Sequence, residues 1–542
     1  MTTNANSLMS GSSGPRFGQA IERGQSIAEE ELGVFGGRTW KIGDAFQGTQ
    51  IFGGTGSGKT TGSGAAIALA FLRAGFGGLV LTAKADDGPR WRRYAQLCGR
   101  EGDIVEIIPG SDASFNILDH EYRRGGRLTH NVVSLLMGAM TSGTDSTSSE
   151  PYWNEALREL LIHAIDLSVL SGAGVESRNG GPPSPRSDIL SLLMIDRIIR
   201  SAPQSRDDVR DPDWRRDSAC WRLLRQADAA CQAGALSPAL RRDLEATIDY
   251  WVQDFPNLSA RTRSIIVSTF TAKVAGLLRS PLRELFFENT DPAFSPESSM
   301  RAARDGRFGK IIIVNLPVKT YGEVGRLAQI LYKIAWTRTA DRRSGLFGAT
   351  GQSSPNNATP TDDTLQSPAF LWADESQYFI TPEDQLFQQT ARSSRVATVY
   401  LTQNVGNYKS VLGRGNEAAV YSLLGNLQTK VFHTNGDPAT NRFAEETFGK
   451  EWSSLQSKSV SAGDSSQNGH VSHSTSRNTN SSLHFVDVAT AKDMTMLMSG
   501  GRRYQYKIGA IVFQAGRNWS KPGDKESPPT NAFWHIFDQH LD

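Results

Sequence analysis

Short apolar runs bounded by turn residues alternate along this chain with longer amphipathic stretches, the pattern of a mostly parallel sheet covered by helices. The runs at 78–82, 104–108, 310–316, 369–373, 396–402 and 429–433 are predicted as strands. Between the second and third the pattern changes. Leu157, Leu160, Leu161, Ala164 and Ile165, then Leu190, Leu193, Met194 and Ile198, recur at helical spacing with few β-rich runs between them. Residues 150–287 are therefore predicted as an all-α domain inserted into an α/β core.

Two polar stretches interrupt the core, 343–367 and 453–482, both dominated by Ser, Asn and neighbouring polar types. Neither has enough apolar residues to offset the entropy of ordering, so both are expected as mobile loops. After the second, strand-like patterns resume at 485–487, 504–506 and 510–513. The expected organisation is a flexible segment 1–35, a first core part 36–149, the insert 150–287, a second core part 288–452, the polar loop 453–482, and a remainder of the core with a tail, 483–542. No internal repeat is visible.

A chain of 542 residues, 38% hydrophobic, can bury a large core and should hold two or three domains. The net charge of +2 argues neither for nor against nucleic acid, because it hides local patches. The cysteines Cys98, Cys220 and Cys231 are too few and scattered for a disulfide framework or a zinc site, which suits a reducing cytosol. No stretch reaches the roughly 18 apolar residues of a membrane span. The N-terminal 28 residues lack the apolar core of a signal peptide or anchor. The expectation is a cytoplasmic protein without a transmembrane segment of its own, peripheral at the inner face of the cell membrane only through a partner.

The densest chemical signal is Gly53-Gly54-Thr55-Gly56-Ser57-Gly58-Lys59-Thr60, which fits G-x-x-x-x-G-K-[ST] between the apolar pair Ile51-Phe52 and an Ala-rich helical stretch. Glycines let backbone N–H groups close around phosphate without Cβ clashes, and the following helix aims its free N–H groups at the same anion. Lys59 is placed to reach the β- and γ-phosphates, and the Thr60 hydroxyl to join a Mg2+ shell. ATP and Mg2+ are the expected ligands. Downstream, the apolar run 369–373 enters Asp374-Glu375, adjacent carboxylates expected at the carboxyl edge of the sheet. Asp374 is expected to hold Mg2+ through water, and Glu375 to orient and deprotonate the attacking water. The run 396–402 ends at Gln403, a candidate contact to the γ-phosphate. Arg392 and Arg395 precede that run, and Arg392 is the candidate for a charge supplied across a subunit boundary.

With these residues in place the chain resembles the TraG-like coupling-protein ATPases of type IV secretion and conjugation, from Gly53 to about Phe513. Ala83-Lys84-Ala85-Asp86 resembles the family's Pro-Lys-Gly-Glu segment, and Phe115-Asn116-Ile117-Leu118 its Asn-Pro-Leu segment. Tyr152-Trp153-Asn154-Glu155-Ala156 at the start of the insert, Asp374-Glu375, Gln403 and Leu424-Gly425-Asn426 follow in the family's order. Arg392 matches the spacing of its trans-acting arginine. The resemblance implies a P-loop RecA-like domain with an inserted all-α domain, working as a homo-oligomeric, hexameric ring. It also implies ATP-driven delivery of DNA or a relaxase–DNA complex to a membrane channel of the type IV secretion system. Thr82 stands where the family has an acid, Ile117 replaces a proline, and the family's N-terminal transmembrane hairpin has no counterpart.

The cargo is less legible. Arginines are dense in the insert, among them Arg197, Arg200, Arg215, Arg216, Arg222 and Arg225, with Trp214 and Trp221 interleaved. Asp207, Asp208, Asp211 and Asp213 dilute that charge, so a solvated helical surface is the reading preferred over a nucleic-acid site. Beside the DNA motor stands the alternative of a nucleotide-switched adaptor that recruits protein substrates without contacting DNA.

Overall fold

A computed structural model describes residues 27–142, 151–176, 190–301, 308–345, 367–412, 417–467, 470–519 and 530–540. The polar stretch expected as a loop at 343–367 lies almost wholly outside them. The chain divides into two compact units: Met1–Gln50, Gly64–Thr402 and Asn407–Thr429 form unit 1, and Ile51–Ser63, Gln403–Gly406 and Lys430–Asp542 form unit 2. In chain order the strands are β1 (Thr49–Phe52), β2 (Gly77–Leu81), β3 (Ile104–Ile107), β4 (Ile311–Val314), β5 (Ala369–Ala373), β6 (Val396–Thr402), β7 (Thr429–Phe432), β8 (Lys450–Gln467), β9 (His470–Asp487), β10 (Lys507–Gln514) and β11 (Ala532–Asp538).

Unit 1 is built on a parallel sheet in the order β6-β5-β2-β4-β3. Every residue of β2, β4, β5 and β6 is buried, as in a sheet with both faces covered by helices, whereas β3 at the end of the row is mostly half-buried. Leu81 pairs with both Val314 and Ala373, so the chain leaves β2, β4 and β5 at one edge, placing Thr82 and Asp374 side by side in register. Gln329, fully buried, stitches that edge: its Oε1 accepts from the Thr82 N–H at 2.7 Å, and its Nε2 donates to the carbonyls of Thr82 and Leu316. The Thr82 hydroxyl donates to the Val314 carbonyl at 2.9 Å, so this residue closes the strand end where an acid was the family's usual choice.

The insert is helical throughout its described part. In Pro151–Glu176 the expected face Leu157, Leu160, Leu161, Ala164 and Ile165 is buried. The next helix corrects the expected register. Ser191 caps it by accepting from the Met194 N–H, so it begins at Leu192 and buries Leu192, Ile195, Ile198 and Ile199, leaving Leu193 and Met194 half-buried. Ser218, Ser237 and Ser259 cap three later helices of the insert in the same way. Among the described residues no helix is long and apolar enough to cross a membrane.

In unit 2 the strand order is β11-β10-β7-β1, with β10 and β11 antiparallel; β1 from Ile51 and β7 from Lys430 belong here. The expected strand at 504–506 is instead a short 3-10 turn, Arg502–Tyr504, followed by Gln505 and Tyr506 at φ 51° and 59°, and β10 starts only at Lys507. The stretch expected as a loop at 453–482 forms most of β8 and β9, an antiparallel ribbon paired from Lys450↔Asp487 to Gln467↔His470. Residues 457–462 and 475–485 are exposed on it. The mobile-loop expectation is thus corrected: ladder hydrogen bonds pair these polar strands without a core.

Candidate active site

The phosphate-loop candidate lies wholly in unit 2. β1 ends at Phe52, whose ring stacks on Phe432 at 5.4 Å, and residues 53–60 turn out of the strand. Gly56 and Gly58 have φ of 74° and 83°, the left-handed region where a Cβ is strained. At Gly53 a Cβ would lie 2.4 Å from Ser57 Oγ and 3.0 Å from His433 Cβ. At Gly58 it would lie 2.4 Å from Ile508 Cδ1. The Ser57 N–H closes a turn onto the Gly54 carbonyl, the Gly54 N–H donates to Thr434 O at 3.0 Å, and a wider, π-type turn follows at Thr60–Gly64. Lys59 is buried, Thr60 half-buried, and Thr55 and Gly56 form the exposed tip. Ser57 Oγ, also buried, has no hydrogen-bond partner among the described residues. A glycine-only cradle with an unsatisfied buried hydroxyl and a lysine in register fits a phosphate group.

His433, just beyond β7, was not foreseen. Its Nε2 lies 2.7 Å from Ser63 Oγ and its Nδ1 3.1 Å from the Gly509 carbonyl. Burial, reinforced by the Lys59 charge, holds its pKa down to about 4 against the pull of the Gly509 hydrogen bond, so the ring is neutral near pH 7. No sequence motif announces it; only pairing of β7 in the sheet brings it under the loop.

The carboxylate candidates lie in unit 1. Asp374 and Glu375 leave β5 and are 2% and 4% exposed, so they form a buried acidic corner rather than a solvated strand end. The corner is charge-compensated. Lys84 Nζ lies 3.0 Å from Glu375 Oε1 and 3.6 Å from Asp374 Oδ2, and Arg90 reaches Asp374 at 4.0 Å. Burial acts to lower the Lys84 pKa, but the two carboxylates outweigh it and the net shift is upward. Asp87 accepts from the N–H groups of Ala83 and Lys84, and burial with the nearby Asp374 charge pushes its pKa up to about 6. Glu375 sits at φ 51°, ψ 49°, a left-handed conformation that a non-glycine residue adopts only under tertiary constraint. Gln377 supplies one: its Nε2 donates to Glu375 Oε2 at 3.0 Å and its Oε1 accepts from Thr402 at the end of β6. Lys84 was singled out in sequence only as part of a family segment. Its partnership with both carboxylates comes from β2 and β5 being neighbours.

Gln403 is half-buried in unit 2, and its carbonyl accepts from Asn435 Nδ2 at 2.8 Å. Arg392 is exposed in unit 1 after the helix Pro382–Thr390. Arg395 is half-buried, and burial lowers its pKa to about 10. In the insert, Arg200 pairs with Asp196 and Arg216 with Asp213 and Asp217. Trp214 and Trp221 pack on each other at 6.1 Å, with Arg215 over the Trp221 ring. These contacts favour the solvated-surface reading there. Among the described residues no group of three or more His, Cys, Asp or Glu side chains is arranged to hold a metal.

Three kinds of comparison bear on this arrangement. A family model described as the TraM recognition site of TraD and TraG matches residues 368–495. No curated protein matches the chain. Among solved structures, the bacterial conjugative coupling protein TrwBdeltaN70 aligns at TM-score 0.52 and 14% identity over 92% of this chain and 89% of its own. The plasmid coupling protein TrwB aligns in its complex with the GTP analogue GDPNP at TM-score 0.53 and 13% identity, over 97% of this chain and 92% of its own. Its complex with ADP and Mg2+ aligns at TM-score 0.52 and 13% identity, over 95% and 93%. Identities this low speak for the fold alone, which is α/β, P-loop and RecA-like with a helical domain. Over residues 368–495 the chain is similar to the TraM recognition site of TraD and TraG, and over most of its length it shares the fold of the coupling protein TrwB.

Proposed function

We propose that this protein is an ATP-hydrolysing, coupling-protein-like motor that delivers DNA or a DNA–protein complex to a type IV secretion or conjugation channel. The observation that carries the proposal is the loop at Gly53–Thr60, where Gly53 and Gly58 have no room for a Cβ and Lys59 is buried in register. Loop N–H groups and Lys59 bind the β- and γ-phosphates. Thr60 and Asp374 would hold Mg2+, and Glu375 orients the attacking water and takes its proton. When bound there, Mg2+ would supply positive charge against the charge that develops on the phosphate. Gln403 contacts the γ-phosphate. TrwB binds ADP with Mg2+ in one structure and a GTP analogue in another, which supports the same ligand class here.

The protein works as a ring in which Arg392, exposed, supplies charge to a neighbour's phosphate. Arg392→Ala should then bind ATP yet be inactive, and mixing it with Lys59→Ala should restore some hydrolysis. Recovery at no mixing ratio would show that the site is complete within one chain. The motor itself is tested by adding single- or double-stranded DNA to the purified protein and reading the ATPase rate. A strong rise supports the motor. A rate indifferent to DNA favours the nucleotide-switched adaptor, toward which the ion-paired arginines of the insert point.

A further inference from the structure

We propose that His433–Asn435 is a positioning segment that braces the phosphate loop and hands its state to Gln403. The proposal rests on the nucleotide-site reading above and adds a residue role to it. The segment touches the loop at three places. Before the loop, the His433 N–H donates to the Phe52 carbonyl at 2.8 Å. Within it, Thr434 O accepts from the Gly54 N–H at 3.0 Å. After it, the His433 ring meets Ser63 Oγ at 2.7 Å. A carbonyl can only accept, so Nδ1, 3.1 Å from Gly509 O, carries the ring hydrogen. In the neutral ring Nε2 is then a lone pair, and the Ser63 hydroxyl must donate to it. The competing acceptor, the Lys59 carbonyl, is farther away at 3.4 Å. His433 therefore fixes the rotamer of Ser63 four residues beyond Lys59, while its Cβ occupies the space that a side chain at Gly53 would need.

Asn435 carries the connection onward. Its Nδ2 donates to the Gln403 carbonyl at 2.8 Å, and its Oδ1 accepts from the Asp437 N–H at 2.9 Å, so its amide can face only one way. Asn441 in turn donates to the Asn435 carbonyl at 3.0 Å. A loop displaced by a bound phosphate moves Gly54 and with it Thr434, whose neighbour Asn435 holds the backbone of Gln403. A histidine serving only to fill the core would need neither the ring bond to Ser63 at the end of the loop's turn, nor the asparagine two residues on.

The test uses the purified full chain, with a fluorescent ADP titration for affinity, steady-state hydrolysis for kcat and KM, and circular dichroism melting for the fold. His433→Gln and Ser63→Ala should each weaken ADP binding about tenfold, and the double variant should be no worse than the weaker single, because both remove one interaction. Asn435→Ala should leave ADP affinity within about twofold and lower kcat about tenfold, since it releases Gln403 and not the loop. Additive effects of His433→Gln and Ser63→Ala would overturn the brace. So would variants that melt earlier but bind ADP normally in the folded state, or an Asn435→Ala variant that loses affinity as much as kcat. Wild-type protein that binds no ADP would instead sink the nucleotide site itself.

Discussion

The two halves of the proposed machinery are built on different physics. The phosphate loop is specified by backbone: left-handed glycines, a Cβ clearance of 2.4 Å at Gly53 and Gly58, and main-chain bonds to Thr434. The carboxylate corner is specified by side-chain charge, with Asp374, Glu375 and Asp87 set against Lys84 and Arg90. A backbone cradle is insensitive to pH and intolerant of added volume. A buried charge cluster has room for an isosteric side chain but is sensitive to its charge, and so responds to protons.

The largest effect should come from Lys59→Ala, which removes the fixed cation facing the transferring phosphoryl group; hydrolysis should fall on the order of a hundredfold or more, with weaker binding. A variant keeping more than a tenth of the wild-type rate in single-turnover assays would refute the catalytic role of the loop. Next, Glu375→Gln should lower kcat by about 10²–10⁴ while ATP stays bound, because the amide keeps the size but accepts protons poorly. Normal turnover in that variant, with Asp374→Ala inactive, would place the base elsewhere.

Gly53→Ala should destabilise the protein by about 1–3 kcal/mol through overpacking against Ser57 and His433, and weaken ADP binding in the fraction that folds. A melting temperature and affinity equal to wild type would remove the contrast between the halves. The smallest effect is in pH dependence. The Asp87 pKa is raised to about 6 from 3.8, so between those values the native state holds a proton that the unfolded chain has lost. Its contribution to stability is present below that window and disappears as pH rises through it. Asp87→Asn can still accept from Ala83 and Lys84, and denaturant melts of wild type and variant should differ in slope between pH 4 and 6. Parallel stability curves there would show that the corner does not titrate as described.

Much was legible because it was local. The loop is eight consecutive residues whose glycines state their own backbone requirement, and β5 and β6, largely apolar runs, form wholly buried strands with the bounds expected. The register of the helix at Leu192–Arg200 was missed although Ser191 marked it, because four apolar candidates fit helical spacing in two phases and only the cap decides between them. The ribbon at β8 and β9 was missed because low hydrophobicity says nothing about hydrogen-bond pairing.

By itself the sequence determined the glycine loop with its lysine, the apolar strand leading to paired acids, and the helical insert, since each depends on spacing within one segment. Only the tertiary structure decided that Lys84 neutralises Asp374 and Glu375, and that His433 reaches Ser63 across 370 positions. Those partnerships follow from which strands lie side by side, and strand order is set by long-range packing that no local pattern encodes.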